Sequence, residues 1–550
     1  MRQREGGVQT LSDLLPEAAA AFSNRIAVVG AERTFTFDEA NRSARAVAAT
    51  FGEIAPGQHV VLSMHKTSDS FIIIHALLSI GAVVVPIDPL MPVLGAVALI
   101  EAVAPAAVVV DQTSMERLDL FGGDVGGLAV FCVDGDEERA TSLRRPIDDP
   151  ESCAQPNRRP TVAPGDPAYV IFTSGSTGTP KGITHTHGSA LAYASLAVDV
   201  HGITADDRLA GLPPLHFDMS TLELYSAPLA GASIVPIGTA ELRFPASFTE
   251  RAEQLGITLW YSVPFQLRQI SERGALDQRD ISRLRHVIYA GEAFSAPALA
   301  ALMHQLPGVR FSNAYGPAET NVVTVHELSA PPVDDVPIGR PWGDVEVRII
   351  DRDVEITSAD DLSGVADVAL GELGELWVLA ASVMVGYLHA PELTAERCVK
   401  TGRGTWYRTG DLVSSSSDGS LRLAGRVDHQ VKVRGVRLEL EAVEAVLGSH
   451  PDIAEAVVAP VGGAASVEQL VAAVVLAPGV PVLDRVSLRR WCLERLVQVA
   501  VPTDIAAWNE FPLTSSGKID RANVRTVLAQ PDGATPPTAS GSLTNGSFDA

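Results

Sequence analysis

Cysteine, aromatic residues, positive charge and long apolar stretches are all scarce in this chain of 550 residues. The four cysteines lie far apart, which excludes a disulfide framework and leaves no C-x-x-C zinc motif. Lysine and arginine total 42 against 66 acidic residues, and the net charge of −24 argues against nucleic acid or an anionic membrane as the main partner. The longest apolar run, residues 71–86, contains His75 and Gly81 and is too short to span a bilayer. Residues 1–24 carry charges where a secretory signal would be apolar, so a cytoplasmic enzyme is expected.

The fractions of apolar residues, 46%, and of charged residues, 20%, are ordinary for a globular protein. The length predicts more than one hydrophobic core. Strands and helices alternate over residues 35–103, which predicts α/β architecture with a mostly parallel, doubly wound sheet. Residues 111–164 are rich in Gly, Asp, Arg and Pro, and they are interpreted as an exposed, loop-rich insertion. Short strands over residues 336–387 predict a β-rich subdomain. The expected division is a large N-terminal core (residues 1–427), a small mobile α+β C-terminal domain (428–529) and a disordered tail (530–550).

The stretch 169–182, Y-V-I-F-T-S-G-S-T-G-T-P-K-G, is the most informative in the chain. A buried-type strand leads into five hydroxyl residues separated by two glycines, and Lys181 follows them. Glycines allow backbone N–H groups to approach an anion, while hydroxyls and a lysine add donors and charge, so this loop is built for phosphate. The spacing does not fit a Walker A loop. The alternative is a flexible surface loop.

Four further stretches accompany the glycine loop: N-A-Y-G-P-A-E-T at 313–320, Y-R-T-G-D at 407–411, G-R-V-D-H-Q-V-K-V-R-G at 425–435, and T-S-S-G-K at 514–518. Together the five motifs resemble, in order and spacing, those of the adenylate-forming superfamily, which includes nonribosomal peptide synthetase adenylation domains, acyl-CoA ligases and luciferases. The resemblance extends from about residue 11 to residue 521.

The resemblance implies an ATP site and a Mg²⁺ site. Glu319 is implied as the Mg²⁺ ligand, Asp411 as the acceptor for both ribose hydroxyls, and Arg426 as a support for ribose or phosphate. Tyr315 would stack on adenine and Asn313 would meet its exocyclic amine. The residues implied to hold the β- and γ-phosphates are Thr173, Ser174, Gly175, Ser176, Thr177, Gly178 and Lys181, and further nucleotide contacts are assigned to Gly291, Ala314 and Gly316.

Three residues are implied to serve catalysis or domain motion. Lys518 matches the catalytic lysine, which would reach from the small domain to the substrate carboxylate and the charge developing at the α-phosphate. Thr320 is assigned a catalytic role beside Glu319. Asp428 matches the hinge about which the small domain swings between adenylation and thioester formation; outside this motif it would be an ordinary linker charge.

The acid that is activated should be an amino acid. In the stretch Phe217-Asp-Met-Ser220, Asp218 matches the aspartate with which amino-acid-activating members pair the substrate ammonium. A carboxylate at this place is costly to desolvate unless a cation pairs with it. The alternative is a partly solvated aspartate at the start of a helix.

The remaining pocket positions are uncharged, so a charged substrate side chain would lose its hydration without gaining a partner. Three of them are bulky and two are small, which favours a compact apolar side chain, and the set resembles those of prolyl-activating enzymes. L-Proline is therefore the expected substrate, with valine or another small aliphatic amino acid as the competitor. The pocket positions are Phe217, Met219, Leu222, Tyr261, Ile288, Ala290, Ala314, Val322 and Val323.

The expected partner is a separate carrier protein, because little chain lies outside the region of resemblance. The aminoacyl group would pass to the phosphopantetheine thiol of that carrier, whose arm would enter near Gly435. A small MbtH-like helper protein is a further candidate partner, and nonribosomal peptide or antibiotic biosynthesis is the expected setting. An acyl- or aryl-CoA ligase and a nucleotide-binding scaffold without catalysis are the two rival hypotheses.

Overall fold

The structure is a computed structural model, and it describes residues 7–31, 33–120, 128–134, 140–153, 160–173, 180–354, 356, 358–427, 430–463, 466–512 and 519–530. In chain order, the helices are α1 (Leu11–Phe22), α2 (Phe37–Thr50), α3 (Ser68–Ser79), α4 (Val93–Val103), α5 (Gln112–Leu120), α6 (Arg144–Asp148), α7 (His187–His201), α8 (Ala227–Ala230), α9 (Thr239–Arg243), α10 (Pro245–Leu255), α11 (Pro264–Arg273), α12 (Ala296–Gln305), α13 (Ala359–Gly364), α14 (Pro391–Arg397), α15 (Leu440–Gly448), α16 (Arg485–Leu493) and α17 (Arg521–Leu528). A π-helical turn, Leu222–Ser226, leads into α8.

The strands, in chain order, are β1 (Ile26–Val29), β2 (Thr34–Thr36), β3 (His59–Ser63), β4 (Val83–Pro86), β5 (Ala107–Val110), β6 (Ala129–Cys132), β7 (Thr141–Ser142), β8 (Pro167–Thr173), β9 (Lys181–Thr186), β10 (Arg208–Gly211), β11 (Ser233–Pro236), β12 (Leu259–Ser262), β13 (His286–Ala290), β14 (Arg310–Tyr315), β15 (Thr324–Leu328), β16 (Arg340–Pro341), β17 (Glu346–Ile350), β18 (Gly374–Leu379), β19 (Gly386–Tyr387), β20 (Cys398–Thr401), β21 (Gly404–Ser415), β22 (Leu421–Arg426), β23 (Gln430–Val433), β24 (Val436–Glu439), β25 (Ile453–Gly463), β26 (Ser466–Leu476) and β27 (Asp504–Trp508).

Within the described residues, most strands of the first 390 positions belong to two large sheets. One has nine strands in the order β16-β15-β14-β13-β12-β10-β11-β1-β2, and the other has eight in the order β19-β9-β8-β4-β3-β5-β6-β7. Neighbouring strands are parallel from β1 through β11, β10, β12 and β13 to β14, and antiparallel pairs close the edges. The α/β prediction is confirmed.

Side chains of the eight-stranded sheet enter cores on both of its faces. On β3, Val60 and Leu62 belong to the largest apolar cluster, while Val61 between them belongs to a second cluster on the other face. Because successive strand residues point to opposite faces, this alternation requires both faces to be covered by helices. The near-continuous apolar strands seen in the sequence follow from that double burial.

Two smaller sheets follow. Strands β17, β18, β21 and β20 form an antiparallel sheet, with β22 paired to β21, which agrees with the predicted β-rich subdomain. The last sheet has the order β24-β23-β26-β25, with β27 paired to β26, and it draws all its strands from residues after 429. Its own apolar cluster contains Leu440, Val458 and Leu488. The terms large domain and small domain are used below for the parts before residue 428 and after residue 429; these boundaries stay a prediction.

Residues 111–164 are not the exposed insertion that their composition predicts. Strands β6 and β7 extend the eight-stranded sheet beyond β5, and helices α5 and α6 accompany them. Cys132, Leu143 and Ile147 are fully buried, so the segment contributes to the core. The prediction was wrong because β7 spans only two residues and is held in the sheet by its pairing with β6. The composition of the segment does not reveal that pairing.

Candidate active site

The residues predicted to bind ribose lie on two paired strands. Asp411 of β21 lies opposite Arg426 of β22, and its side chain is almost completely buried. One carboxylate oxygen accepts a hydrogen bond from Arg426 and the other accepts one from the hydroxyl of Tyr315. Because each carboxylate oxygen has two lone pairs, both oxygens keep the capacity to accept a further hydroxyl hydrogen. The geometry thus brings together three residues that the motifs assign to the nucleoside.

The residues predicted to bind adenine lie at the end of β14. Asn313 donates from Nδ2 to the Pro337 carbonyl at 2.8 Å, so its amide oxygen keeps the capacity to accept a hydrogen bond, as the predicted contact with an exocyclic amine requires. Gly316 begins a tight turn in which an added Cβ would lie 1.8 Å from the Asn321 carbonyl oxygen. Any other residue at position 316 would therefore open this turn. Ala314 precedes it and is buried.

Glu319 is a fully buried carboxylate at the centre of the site. Tyr387 donates its hydroxyl to Oε1 at 2.9 Å, and Arg437 Nη1 lies 3.2 Å from Oε1 and 2.9 Å from Oε2. Burial alone would raise the pKa of Glu319, but the charge and hydrogen bonds of Arg437, together with backbone and Tyr387 hydrogen bonds, hold it at about 2. The carboxylate is thus ionised and already faces a cation.

This environment fits a Mg²⁺ ion delivered with a triphosphate. Among the described residues, no three His, Cys, Asp or Glu side chains come close enough to hold a metal by themselves. Mg²⁺ commonly takes one or two carboxylates from the protein and completes its octahedron with substrate phosphates and waters. Glu319 provides one such carboxylate, and its negative charge would compensate the charge of a bound cation.

Thr320 is completely buried, and its hydroxyl donates to the carbonyls of Pro317 and Asn321 at 3.2 and 2.9 Å. Those bonds stabilise the turn that carries Glu319 into the site. Gly291 follows β13 with φ of 98°, a left-handed conformation that favours glycine. The catalytic role assigned to Thr320 and the nucleotide contact assigned to Gly291 stay predictions.

The hairpin β23–β24 of the small domain contacts this site through its side chains. Besides Arg437, it brings Glu439, whose Oε1 accepts a hydrogen bond from Lys181 Nζ at 2.7 Å. It also brings Lys432, whose pKa is lowered by burial, an effect partly offset by the negative charges of Asp411 and Asp218. Three charged side chains of the small domain therefore lie among residues of the large domain.

The predicted amino-acid pocket is a continuous part of the main core. Tyr261, Ile288, Ala290 and Ala314 lie on the neighbouring parallel strands β12, β13 and β14, near the carboxyl edge where α/β sheets bind ligands. All eight apolar or aromatic positions after Asp218 belong to one buried cluster: Met219, Leu222, Tyr261, Ile288, Ala290, Ala314, Val322 and Val323. Phe217 is half-buried and packs edge-on against His216.

Asp218 lies next to this cluster and is only half-buried. Burial raises its pKa, the charge of Lys432 and a hydrogen bond from the Met219 backbone lower it, and the charge of Glu319 raises it further. The net shift of the pKa is upward, because the loss of hydration of the ionised carboxylate outweighs its favourable interactions with Lys432 and the Met219 backbone. A cation placed beside it would relieve that cost.

A narrow crevice lies between residues of the large and small domains close to Gly435. Gly435 has φ of 84°, its backbone N–H donates to Glu292 at 3.2 Å, and an added Cβ would lie 2.5 Å from Val263. A side chain at position 435 would therefore obstruct the domain boundary. The crevice is lined by Pro264, Phe265, Arg268, Glu292, Ala293, Phe294, Ser295, Val467 and Glu468.

Several predicted site residues lie outside the described residues, so the structure does not bear on them. They are Ser174, Gly175, Ser176, Thr177 and Gly178 of the glycine loop, the hinge residue Asp428 and the catalytic residue Lys518. Thr173 and Lys181, at the two ends of the loop, are described and lie opposite each other on the antiparallel strands β8 and β9. Lys181 therefore lies beside Thr173, the last residue of β8.

Sequence reasoning missed the charged residues of β24 and a buried pair beneath the pocket. Arg437 and Glu439 stand two residues apart in V-R-L-E, an alternation that indicates one polar face of a strand, but their partners are distant in sequence. Lys66 and Glu223 form an ion pair with side chains 5% and 1% exposed. Glu223 lies on the π-helical turn directly after the pocket residue Leu222.

The chain matches known protein families over most of its length. A family described as AMP-binding enzyme matches residues 15–388, and a second, described as AMP-binding enzyme C-terminal domain, matches residues 442–518. Two similar proteins are L-proline--[L-prolyl-carrier protein] ligases. The one from Pseudomonas fluorescens is 32% identical over 524 residues, which cover 94% of this chain and 98% of that protein. The one from Streptomyces coelicolor is 33% identical over 519 residues, covering 92% and 94%.

Solved structures resemble this fold closely. The amide bond synthetase McbA from Marinactinospora thermotolerans has a TM-score of 0.81 and 28% identity, covering 94% of this chain and 99% of that one. The adenylation domain AlmE from Vibrio cholerae, with a TM-score of 0.79 and 22% identity, covers 96% and 99% and supports the fold alone. Within the described residues, no helix has the length and apolar character needed to cross a membrane. By its motifs, fold and family matches, the chain belongs to the AMP-binding enzymes of the adenylate-forming superfamily.

Proposed function

We propose that this enzyme uses ATP to activate a small apolar amino acid, with L-proline as the first candidate, as an aminoacyl adenylate. It then transfers the aminoacyl group to the phosphopantetheine thiol of a separate carrier protein. The observation that carries this proposal is the place of Asp218, a half-buried carboxylate next to the apolar cluster of pocket residues. The two prolyl-carrier protein ligases, similar over nearly their whole length, support the same substrate class.

The pocket chemistry favours an amino acid with a compact apolar side chain. The charge of Lys432 offsets only part of the cost of burying Asp218. An α-ammonium beside Asp218 would add a second compensating cation, whereas a plain carboxylic acid would add none. The bulky residues Met219, Leu222 and Tyr261 limit the depth of the pocket, while Ala290 and Ala314 leave room. The proline ring fits that space, and its secondary ammonium keeps two N–H donors for Asp218.

In the first half-reaction, the amino-acid carboxylate attacks the α-phosphorus and the bond to the bridging oxygen of pyrophosphate breaks. Asp218 orients the substrate through its ammonium, and Asp411 holds the ribose. Lys181 neutralises the leaving pyrophosphate, and Lys518 would neutralise charge at the α-phosphate. Mg²⁺, when held by Glu319, would neutralise charge on the β- and γ-phosphates. Tyr387 orients the Glu319 carboxylate for this task.

In the second half-reaction, the carrier thiolate attacks the carbonyl carbon and AMP leaves. The crevice beside Gly435 is the proposed access path for the phosphopantetheine arm, because it opens at the domain boundary near the hairpin that enters the site. The small domain would turn about Asp428, so that Lys518 and the hairpin β23–β24 occupy the site in different steps. A carrier protein is the proposed partner, with a MbtH-like protein as a helper.

The test is exchange of labelled pyrophosphate into ATP with a panel of amino acids. We expect strong exchange with L-proline, weaker exchange with valine, and loss of exchange by about 10²-fold or more in Asp218→Ala, because the ammonium loses its partner. Asp199→Ala, at an exposed aspartate on α7, is the matched control and should behave as wild type. Absence of exchange with every amino acid would refute the proposal.

The rival hypotheses give different results in the same experiment. A CoA ligase would form a thioester with free CoA from an acid without an amino group, and Asp218→Ala would leave that activity unchanged. A scaffold without catalysis would show no difference between wild type and Lys518→Ala. Formation of an amide with an added amine would point to the chemistry named for the similar structure from Marinactinospora thermotolerans.

A further inference from the structure

The turn of the hairpin β23–β24 donates a hydrogen bond to a carboxylate of the large domain. Arg434 and Gly435 connect the two strands, and both have a positive φ, 51° and 84°. Two consecutive residues in this conformation are typical of a type I′ turn between antiparallel strands. The backbone N–H of Gly435 donates to Glu292 Oε2 at 3.2 Å. The large domain thus provides the acceptor for a backbone donor of the small domain.

The same carboxylate also binds the beginning of helix α11. Its Oε1 accepts a hydrogen bond from the backbone N–H of Phe265 at 2.9 Å. Phe265 is the second residue of α11, and its N–H is one of the donors that a helix leaves unpaired at its start. Capping the helix needs only one oxygen, and Glu292 uses the other oxygen for the small domain. Glu292 is therefore shared between two elements that belong to different domains.

Further contacts across the domain boundary lie around this carboxylate. The guanidinium carbons of Arg268 and Arg434 lie 5.8 and 5.3 Å from the centroid of the Phe265 ring. Glu468 accepts a hydrogen bond from Arg268 through its side chain at 2.8 Å and one from Arg434 through its carbonyl at 3.0 Å. Glu292, Phe265, Arg268 and Glu468 also line the crevice described above. The contacts that hold the turn are thus part of the crevice wall.

We propose that Glu292 is a positioning residue for transfer of the aminoacyl group to the carrier thiol. Its carboxylate fixes the turn of the hairpin β23–β24 against α11. It thereby sets the shape of the crevice through which the phosphopantetheine arm would pass. This inference rests on the proposed function and adds to it a residue that neither the nucleotide motifs nor the pocket positions include.

The turn has little room to shift at this place. An added Cβ at Gly435 would lie 2.5 Å from Val263 Cγ1, so the backbone of the turn is already close to the large domain. The crevice is lined by residues of both domains, and its shape therefore depends on where the turn lies. A misplacement of about 1 Å can lower the rate of a positioned reaction by roughly 10²-fold. A hydrogen bond that fixes the turn should consequently affect the transfer step.

Glu292→Gln distinguishes the two hydrogen bonds of this residue. The amide oxygen of glutamine can still accept from the N–H of Phe265 and cap α11. The amide NH₂ group would then face the N–H of Gly435, and two donors cannot form a hydrogen bond with each other. The variant therefore weakens the contact between the domains while it retains the contact within the large domain.

The first experiment compares the two half-reactions in the full-length enzyme, with the amino acid that gives the strongest exchange. Pyrophosphate exchange by Glu292→Gln should stay within about twofold of wild type, because Lys518 rather than the hairpin would serve that step. Transfer of the labelled aminoacyl group from the preformed adenylate to free phosphopantetheine should be about tenfold slower, the effect of losing one hydrogen bond to a charged group. Glu455→Gln, at an exposed glutamate on β25, is the matched control and should change neither rate.

Hydrogen–deuterium exchange of a peptide that contains Gly435 is an independent measurement. The amide of Gly435 should exchange about tenfold faster in Glu292→Gln than in wild type or Glu455→Gln, because it loses its acceptor. Equal hydrogen exchange, or a transfer rate that falls no more than pyrophosphate exchange does, would overturn the positioning role and leave the proposed function intact. Absence of pyrophosphate exchange with every amino acid, while the Gly435 amide still responds to the substitution, would overturn the proposed function alone.

Discussion

At the scale of one residue, the Asp218 carboxylate that is proposed to bind the substrate ammonium lowers the stability of the free enzyme. Its pKa is raised by burial, and Lys432 offsets only part of that shift. The native state therefore binds the Asp218 proton more tightly than the unfolded chain, where the pKa is about 3.9. The stability that the protonated carboxyl contributes is complete at low pH and is lost as pH rises through the raised folded-state pKa. At neutral pH the ionised carboxylate thus lowers stability, and the ammonium of the proposed amino-acid substrate would offset that loss.

Asp218→Asn should therefore stabilise the enzyme in the absence of substrate. We expect the free energy of unfolding at neutral pH to rise by roughly 0.5–2 kcal/mol, the usual gain from relieving a functionally strained site. Urea denaturation over a pH series measures it. The gain should shrink as pH falls through the raised pKa, because the wild-type carboxyl then becomes neutral. A gain that is the same at every pH, or one also seen in Asp199→Asn, would contradict this explanation.

At the scale of an element, the π-helical turn Leu222–Ser226 joins the substrate pocket to a buried ion pair. Leu222 belongs to the pocket cluster, and the next residue, Glu223, pairs with Lys66 behind it. Burial raises the pKa of Glu223 and lowers that of Lys66, and the charge of each partner opposes the shift in the other. π-Helical turns of this kind are frequent at functional sites. The ion pair therefore holds the turn that presents Leu222.

Lys66→Met should destabilise the protein by about 3–5 kcal/mol, because Glu223 would be left buried without its cation. The double variant Lys66→Met/Glu223→Gln should recover most of that loss, and urea denaturation distinguishes the two. Arg403→Met, which breaks an exposed pair with Glu346, should cost no more than about 1 kcal/mol. Equal losses in Lys66→Met and Arg403→Met would show that the buried pair does not anchor the turn.

Local sequence patterns predicted those elements whose determinants lie within the element itself. Helices α2 and α3 fall within residues 35–103, where alternating strands and helices are predicted, and they begin after Thr36 and Thr67, which accept hydrogen bonds from the third residue of each helix. By contrast, β7 spans only two residues and depends on pairing with β6. Arg437 contacts Glu319, which is 118 positions away in the sequence, and Glu439 contacts Lys181, which is 258 positions away. Such contacts follow from domain packing, which no local pattern encodes.

At the scale of the whole molecule, buried histidines determine the response to acid. Burial lowers the pKa of His75, His185 and His187 to about 4, and that of His201 to about 3. His286 is lowered to about 2, by burial first and then by the charges of His201 and two arginines. In the unfolded chain these imidazoles become protonated near pH 6.5. Acid therefore favours unfolding, since the native state keeps them neutral.

Stability should consequently fall steeply below about pH 6.5, with each such histidine contributing up to ~1.4 kcal/mol per pH unit until its folded-state pKa is reached. Urea denaturation at several pH values gives the slope. Replacement of His286 by Asn should make the slope shallower, whereas replacement of the exposed His304 should not change it. An unchanged slope in the His286 variant would show that this group does not carry the acid sensitivity.

The hairpin β23–β24 also constrains how such enzymes can be recombined. Glu319 and Lys181, the residues proposed to bind metal and phosphate, form ion pairs with Arg437 and Glu439 across the boundary between the two domains. A chimera that joins this large domain to the small domain of a relative inherits the relative's charges at these two contacts. We therefore expect a small domain to be exchangeable when it carries an arginine and a glutamate at the positions of Arg437 and Glu439, whatever its overall sequence identity.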